Sequence, residues 1–166
     1  PTRRSSDLLF AFEKYGVIPD VLVLGKALGG GMPMGAFIAD RKLMNQLSDQ
    51  PILGHITTFG GHPIVAAAGN AAFDVLLTNQ LVETVKSKEA LFRSLLQHPK
   101  IKAVHGEGLL LAVELESFDT VQQTIQQMLA KGLFSDWFLF APNCLRIAPP
   151  LTISMEEIQW ACDQIL

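Results

Sequence analysis

The chain has 166 residues, enough for one ordinary domain core, and with 49% hydrophobic against 17% charged residues it can bury enough apolar surface to order itself. A formal net charge of −3 excludes the basic footprint of a nucleic-acid binder, and the two cysteines are too few for a disulfide framework and lack zinc-ligand spacing. No apolar run approaches the ~20 residues a membrane helix needs, and the cysteine usage suits a reducing cytoplasm.

Residues 1–8 read PTRRSSDL, which back-translates as CCT ACA CGA CGC TCT TCC GAT CT and resembles a short-read sequencing adapter. They are expected to be a non-native leader, with the native chain starting near Leu9. A natural polar leader with two arginines is the alternative. Either way, targeting signals are unreadable at this terminus. Phe10 to Tyr15 is a short helical or irregular segment, punctuated by Gly16 and the Pro19-Asp20 pair.

Val21-Leu22-Val23-Leu24 is a continuous aliphatic run, the pattern of a strand buried on both faces of a parallel sheet. Gly25-Lys26 ends it, a loop with Gly29-Gly30-Gly31 and Pro33 follows, and Ala36 to Ala39 reads as the next short strand. Arg41 to Leu47 predicts a short helix, and His55 to Pro63 a Thr- and Gly-rich loop. Ile64 to about Leu96 reads as helix with a joint at Asn79, and its run of alanines predicts close packing against the sheet or another helix. The domain break is placed at this joint, between residues 9–78 and 79–166.

Beyond Pro99 the pattern is α+β: a strand at Leu109–Leu115, a helix at Asp119–Lys131, short strands at Trp137–Ala141 and Leu145–Ile147, and a closing helix at Ser154–Leu166. Ser154 followed by Glu157 is a capping-box signature for that last helix. His105-Gly106-Glu107-Gly108 reads as a structural turn into a strand. Trp137, Phe138 and Phe140 read as core aromatics, and Cys144 as a spectator.

Three places carry residue types suited to chemistry. A lysine just past the carboxyl end of a buried strand, followed by glycines, stands where α/β sheets present functional groups. An amine can form a Schiff base with an aldehyde cofactor, and glycines let backbone approach a bulky ligand. A solvated lysine beside an ordinary glycine loop is the plainer reading of the same spacing. Thr57 and Thr58, ahead of a helix, read by themselves as caps of that helix, and a hydroxyl such as that of Thr58 beside a helix N-terminus is also apt for a phosphate. Arg146, before Pro149-Pro150, could grip a carboxylate with its planar fork or be a surface strand arginine. His55 and His62 lack a third ligand and make no metal site.

Gly25-Lys26-Ala27-Leu28-Gly29-Gly30-Gly31, with Pro19-Asp20 before it and Pro33 and Gly35 after, closely resembles the cofactor-attachment signature of class III pyridoxal-phosphate aminotransferases. His55-Ile56-Thr57-Thr58-Phe59-Gly60-Gly61-His62-Pro63 is similar to a second family loop, and Leu145-Arg146-Ile147-Ala148-Pro149-Pro150-Leu151 to a third. His62 replaces a frequent asparagine and His105 a usual arginine.

The resemblance implies an α/β fold, the C-terminal part of a fold-type I pyridoxal-phosphate transferase. Residues 9–78 would then end the large cofactor-binding domain, and residues 79–166 would form the small α+β domain. It implies Lys26 as the Schiff-base and proton-shuttling lysine. It implies Thr58 as a hydrogen-bond donor to the cofactor phosphate of the neighbouring subunit in a homodimer, and Arg146 as the substrate-carboxylate residue.

The family's upstream phosphate loop, ring-stacking aromatic and pyridine-nitrogen aspartate are not in this sequence, so the chain alone is expected to be inactive. The implied reaction of the longer parent is amino transfer between an amino acid or ω-amino acid (ornithine-, acetylornithine-, lysine- or 4-aminobutyrate-like) and a 2-oxo acid. The alternatives are a pyridoxal-phosphate mutase or decarboxylase of the same family, and a non-enzymatic binding domain. No nucleic acid, membrane or metal is expected as a partner.

Overall fold

The computed structural model describes residues 9–166, so the adapter-like segment lies outside the described residues. The fold is mixed α/β and divides into two compact units, Gly16–Gln80 and Leu81–Leu166, with the described residues up to Tyr15 grouped with the latter. From the sequence, residues 9–15 count with the first part. In the fold Lys14 Nζ lies 2.5 Å from Oε1 and 2.6 Å from Oε2 of Glu107, an ion pair that belongs to the second unit.

The first unit opens with strand β1 (Val21–Leu24), which pairs antiparallel with β2 (Ala36–Ala39) from Val21↔Ala39 to Leu24↔Ala36. This corrects the expectation of a parallel strand buried on both faces: Val23 is 66% exposed, and Val21, Phe37 and Ile38 are exposed too. Among the described residues β2 is the only strand beside β1, and they leave Val21 and Val23, on one face of β1, exposed. The aliphatic run reports a strand correctly but does not report what covers it.

Helix α1 (Arg41–Asp49) starts at Asp40, whose carboxylate accepts from the Leu43 amide at 2.8 Å. Helix α2 (Pro63–Thr78) begins with Pro63 in the first turn, where a missing N–H costs nothing, and ends at Asn79.

In the second unit, helix α3 (Val85–Leu95) leads to a four-stranded antiparallel sheet in the order β3-β4-β6-β5. Its strands are β3 (Ala103–Glu107), β4 (Leu110–Glu114), β5 (Asp136–Phe138) and β6 (Ala141–Ile147). Helix α4 (Phe118–Ala130) lies between β4 and β5 in sequence, and α5 (Met155–Ile165) closes the chain. The register Leu111↔Ile147 and Val113↔Leu145 sets these four buried side chains on one face. Phe92 of α3, Val121 and Met128 of α4, and Ile158 and Cys162 of α5 join them in one apolar cluster. Both α4 and α5 are capped by serine, Ser117 accepting from the Thr120 amide and Ser154 forming the full capping box with Glu157.

Three expectations change here. His105 to Glu107 is strand rather than turn. The turn is only Gly108-Leu109, and the positive φ of Gly106 (98°) bends a strand that still pairs throughout. Arg93 secures this bend from α3, donating to the carbonyls of Val104 and Gly106 at 2.7 and 2.8 Å, while Glu89 accepts from the Gly108 amide at 2.6 Å. The strand expected over Trp137–Ala141 is interrupted by a turn at Leu139-Phe140.

The aromatics of this stretch are not core. Phe140 is 95% exposed at the hairpin tip, and Trp137 sits on the edge strand with Phe118 packed edge-on to it, centroids 5.7 Å apart. Phe138 is half-buried. An aromatic side chain signals an apolar contact surface, but burial depends on what the topology places over it.

Candidate active site

Lys26 follows β1 directly and opens a short 3-10 turn, Lys26–Gly29, in which the Leu28 amide donates to the Gly25 carbonyl at 3.1 Å. Its backbone stands at φ 53°, the left-handed region that a residue with a Cβ enters at a cost. The side chain is exposed, and among the described residues no acceptor is assigned to its Nζ.

The turn is held from behind by α2. A Cβ at Gly30 would lie 2.5 Å from the Ala68 carbonyl oxygen and 2.9 Å from the Ala72 Cβ. One at Gly69 would lie 2.8 Å from Met34 Sδ and 2.9 Å from the Leu28 carbonyl oxygen. The small residues of α2 therefore make room for the lysine turn itself, where the sequence pointed to a sheet or another helix. On its other side, among the described residues and apart from its chain neighbours, no atom lies within 4 Å of the place a Cβ would take at Gly31.

Thr58 lies in the loop ahead of α2, exposed, with the Gly60 amide donating to Thr57 O and the His62 amide to Phe59 O, both at 3.3 Å. Neither threonine caps α2: its N-cap is His62, which makes no side-chain cap bond. The Thr58 hydroxyl and the first amides of α2 are thus both left available to an acceptor, and an anion suits a helix N-terminus. Among the described residues no group of His, Cys, Asp and Glu could hold a metal, and His55 and His62 form none.

Arg146 belongs to the second unit. Its strand neighbours are Ala112 on β4 and Asp136 on β5, so it points to the sheet face opposite the helices. That face carries polar side chains in pairs. Arg146 Nη2 donates to Asp136 Oδ2 at 3.0 Å, and His105 Nε2 lies 2.8 Å from Glu114 Oε2. Asp136 was not legible from the sequence, because its meeting with Arg146 depends on the β5–β6 register. Cys144 is buried beside these pairs, and burial together with the Glu114 charge pushes its thiol above the usual range, away from the reactive thiolate.

The arrangement offers an unencumbered amine over an open glycine surface, and in the other unit a guanidinium with donors to spare. Each part suits a portion of an aldehyde cofactor with an anionic tail: the amine its aldehyde, and the hydroxyl with the helix amides the anion of the same or a neighbouring subunit's cofactor.

A family model described as aminotransferase class-III matches residues 5–166. The ornithine aminotransferase of Macrococcus caseolyticus is 36% identical over 164 residues, 96% of this chain and 40% of that protein. The acetylornithine aminotransferase of Caldanaerobacter subterraneus subsp. tengcongensis is 36% identical over 159 residues, 92% of this chain and 38% of that protein. Among solved structures, acetylornithine aminotransferase from Elizabethkingia anophelis superposes with a TM-score of 0.85 at 32% identity, over 97% of this chain and 41% of that one. Ornithine aminotransferase from Toxoplasma gondii, described with partial occupancy of PLP at its active site, gives 0.85 at 31% identity, over 97% and 38%. The chain spans about 40% of the length of the curated relatives it matches.

Proposed function

The chain belongs to the class-III aminotransferase family, and on that premise we propose that the protein carrying it moves an amino group between an amino acid and a 2-oxo acid with pyridoxal phosphate. Ornithine- and acetylornithine-like donors are favoured, since relatives of both names match almost the whole chain. The observation that carries the reading is Lys26, an exposed amine at the end of β1 on a strained turn backed by α2.

When bound, the cofactor would supply an electron sink for loss of the donor's Cα proton. This chain's residues do the rest. Lys26 Nζ would hold the cofactor's aldehyde carbon and, as a free amine, would move the donor's Cα proton. Gly31 leaves the front of the turn open. Thr58 donates its hydroxyl to the cofactor phosphate of a neighbouring subunit, making the working form a homodimer. Arg146 grips a substrate carboxylate.

Turnover needs the remainder of the longer protein, since the relatives are more than twice this length; the chain alone is inactive. The proposed setting is the cytoplasm, consistent with both cysteines being free. The test is 2-oxo-acid-dependent amino transfer by the complete protein loaded with pyridoxal phosphate. Decarboxylation or amino-group migration without an oxo acid would replace this reading with a mutase or decarboxylase, and no visible absorption band on adding cofactor would refute cofactor binding altogether.

A further inference from the structure

The sheet face turned away from the helices aligns one residue from each strand: His105 on β3, Ala112 on β4, Arg146 on β6 and Asp136 on β5. His105 is occupied by Glu114, and Ala112 offers only a methyl, so the anion that Arg146 meets is Asp136. Asp136 is itself fixed. Its Oδ1 accepts from the Trp137 amide at 2.8 Å while Oδ2 takes the Arg146 Nη2 donor at 3.0 Å. From the neighbouring position Ser135 Oγ donates to the Arg146 carbonyl. Strand β5 thus holds Arg146 by its backbone and by one guanidinium nitrogen. A guanidinium has five N–H donors in a rigid fork, and among the described residues no acceptor is assigned to Nε or Nη1 of Arg146.

We infer that Asp136 is the positioning residue of the carboxylate site: by holding one Nη2 proton from β5, it presents the fork's remaining pair of parallel N–H donors to a single substrate carboxylate approaching over Ala112. The inference rests on Arg146 being the carboxylate residue proposed above. Both side chains are 40% exposed, so without its anchor the long arginine would sample many rotamers and lose the bidentate geometry. A carboxylate approaching the opposite edge of the fork would meet the Asp136 charge, which restricts entry to one side.

The test uses the complete cofactor-loaded enzyme. It compares the amino-acid donor with the amine that lacks its carboxylate, and uses glutarate as a competitive inhibitor. Asp136→Ala should raise the donor KM and the glutarate Ki about three- to fivefold, the scale of an exposed ion pair, with kcat and the amine KM moving less. Asp136→Asn is isosteric but keeps one acceptor, which meets Nη2 only by turning its NH2 to the Trp137 amide, so it should recover both constants in part, between Asp136→Ala and wild type. The Tm rise that glutarate gives the cofactor-free protein should shrink in Asp136→Ala and recover in part in Asp136→Asn. If Asp136→Ala does not fold, Asp136→Ser, too short to reach Arg146, takes its place. Unchanged or lowered KM and Ki in the alanine or serine variant overturn the inference, leaving Asp136 a competitor or a plain strand ion pair. Arg146→Ala separates the two levels. If it damages donor and amine equally, the carboxylate role of Arg146 fails, whereas if it discriminates between them and Asp136→Ala does not, only the positioning role fails.

Discussion

Lys88 on α3 is 7% exposed, and its Nζ donates to the carbonyl of Leu151 at 2.6 Å, tying the helix to the segment just past Pro149-Pro150. Burial lowers its pKa from the ordinary 10.5, because an ammonium loses solvation there. Between that lowered value and 10.5 the unfolded chain binds more protons than the folded one, so this group makes stability rise with pH across the window and depresses it fully below. Lys88→Met removes the buried charge. Its stability relative to wild type should be greatest near pH 7 and fall as the pH is raised toward 10. Denaturant midpoints of the two proteins at both pH values check this, and a pH-independent difference would contradict it.

Lys26 illustrates a cost held at a functional residue. At φ 53° it occupies backbone space that suits glycine. Lys26→Gly should raise stability by up to about 1 kcal/mol, whereas Lys26→Ala, which keeps a Cβ, should gain nothing. Both should lose the borohydride-fixed cofactor adduct and nearly all turnover of the complete enzyme. Thermal unfolding together with mass analysis after reduction measures both effects. Equal stability of the two variants would remove backbone strain from the account.

Gly30 and Gly31 separate conformation from packing. Both have positive φ, 58° and 97°, but only at Gly30 does a Cβ meet α2. Gly31→Ala should cost about 1–2 kcal/mol for the backbone alone. Gly30→Ala should cost a further ~1–3 kcal/mol for overpacking against Ala68 and Ala72. Urea denaturation of the two variants gives the difference directly.

Thr58→Ala in the complete enzyme should weaken cofactor retention by about one to two decades, the worth of a hydrogen bond to a charged group, and equally for every amino donor. Cofactor dissociation followed by absorbance, with two unrelated donors, tests this. A loss that depends on the donor would move Thr58 from the phosphate to the substrate.

Neither cysteine should react in the folded chain. Burial, with Asp163 nearby, pushes the Cys162 thiol up to about 12, and Cys144 is raised by burial and by Glu114. Iodoacetamide at pH 8 should label neither thiol within a time that labels both in denaturant, as read by intact mass.

What the sequence by itself determined is local. The strand-lysine-glycine order marked Lys26, hydrophobic runs marked β1 and β4, and Ser154 with Glu157 announced α5, because propensity and capping act over a few neighbouring residues. Only the tertiary structure decided the rest. It showed β1 half-covered, Phe140 in solvent, β3 as a strand despite Gly106 and Gly108, and the small side of α2 turned to the lysine loop. It also brought Asp136 to Arg146, ten residues along the chain but directly opposite across β5 and β6. A register shifted by one residue would send Asp136 to the other face of the sheet, and this register is reached only past an irregularity between Trp137 and Phe138, where the pairing steps from Phe138↔Ala141 to Trp137↔Leu145.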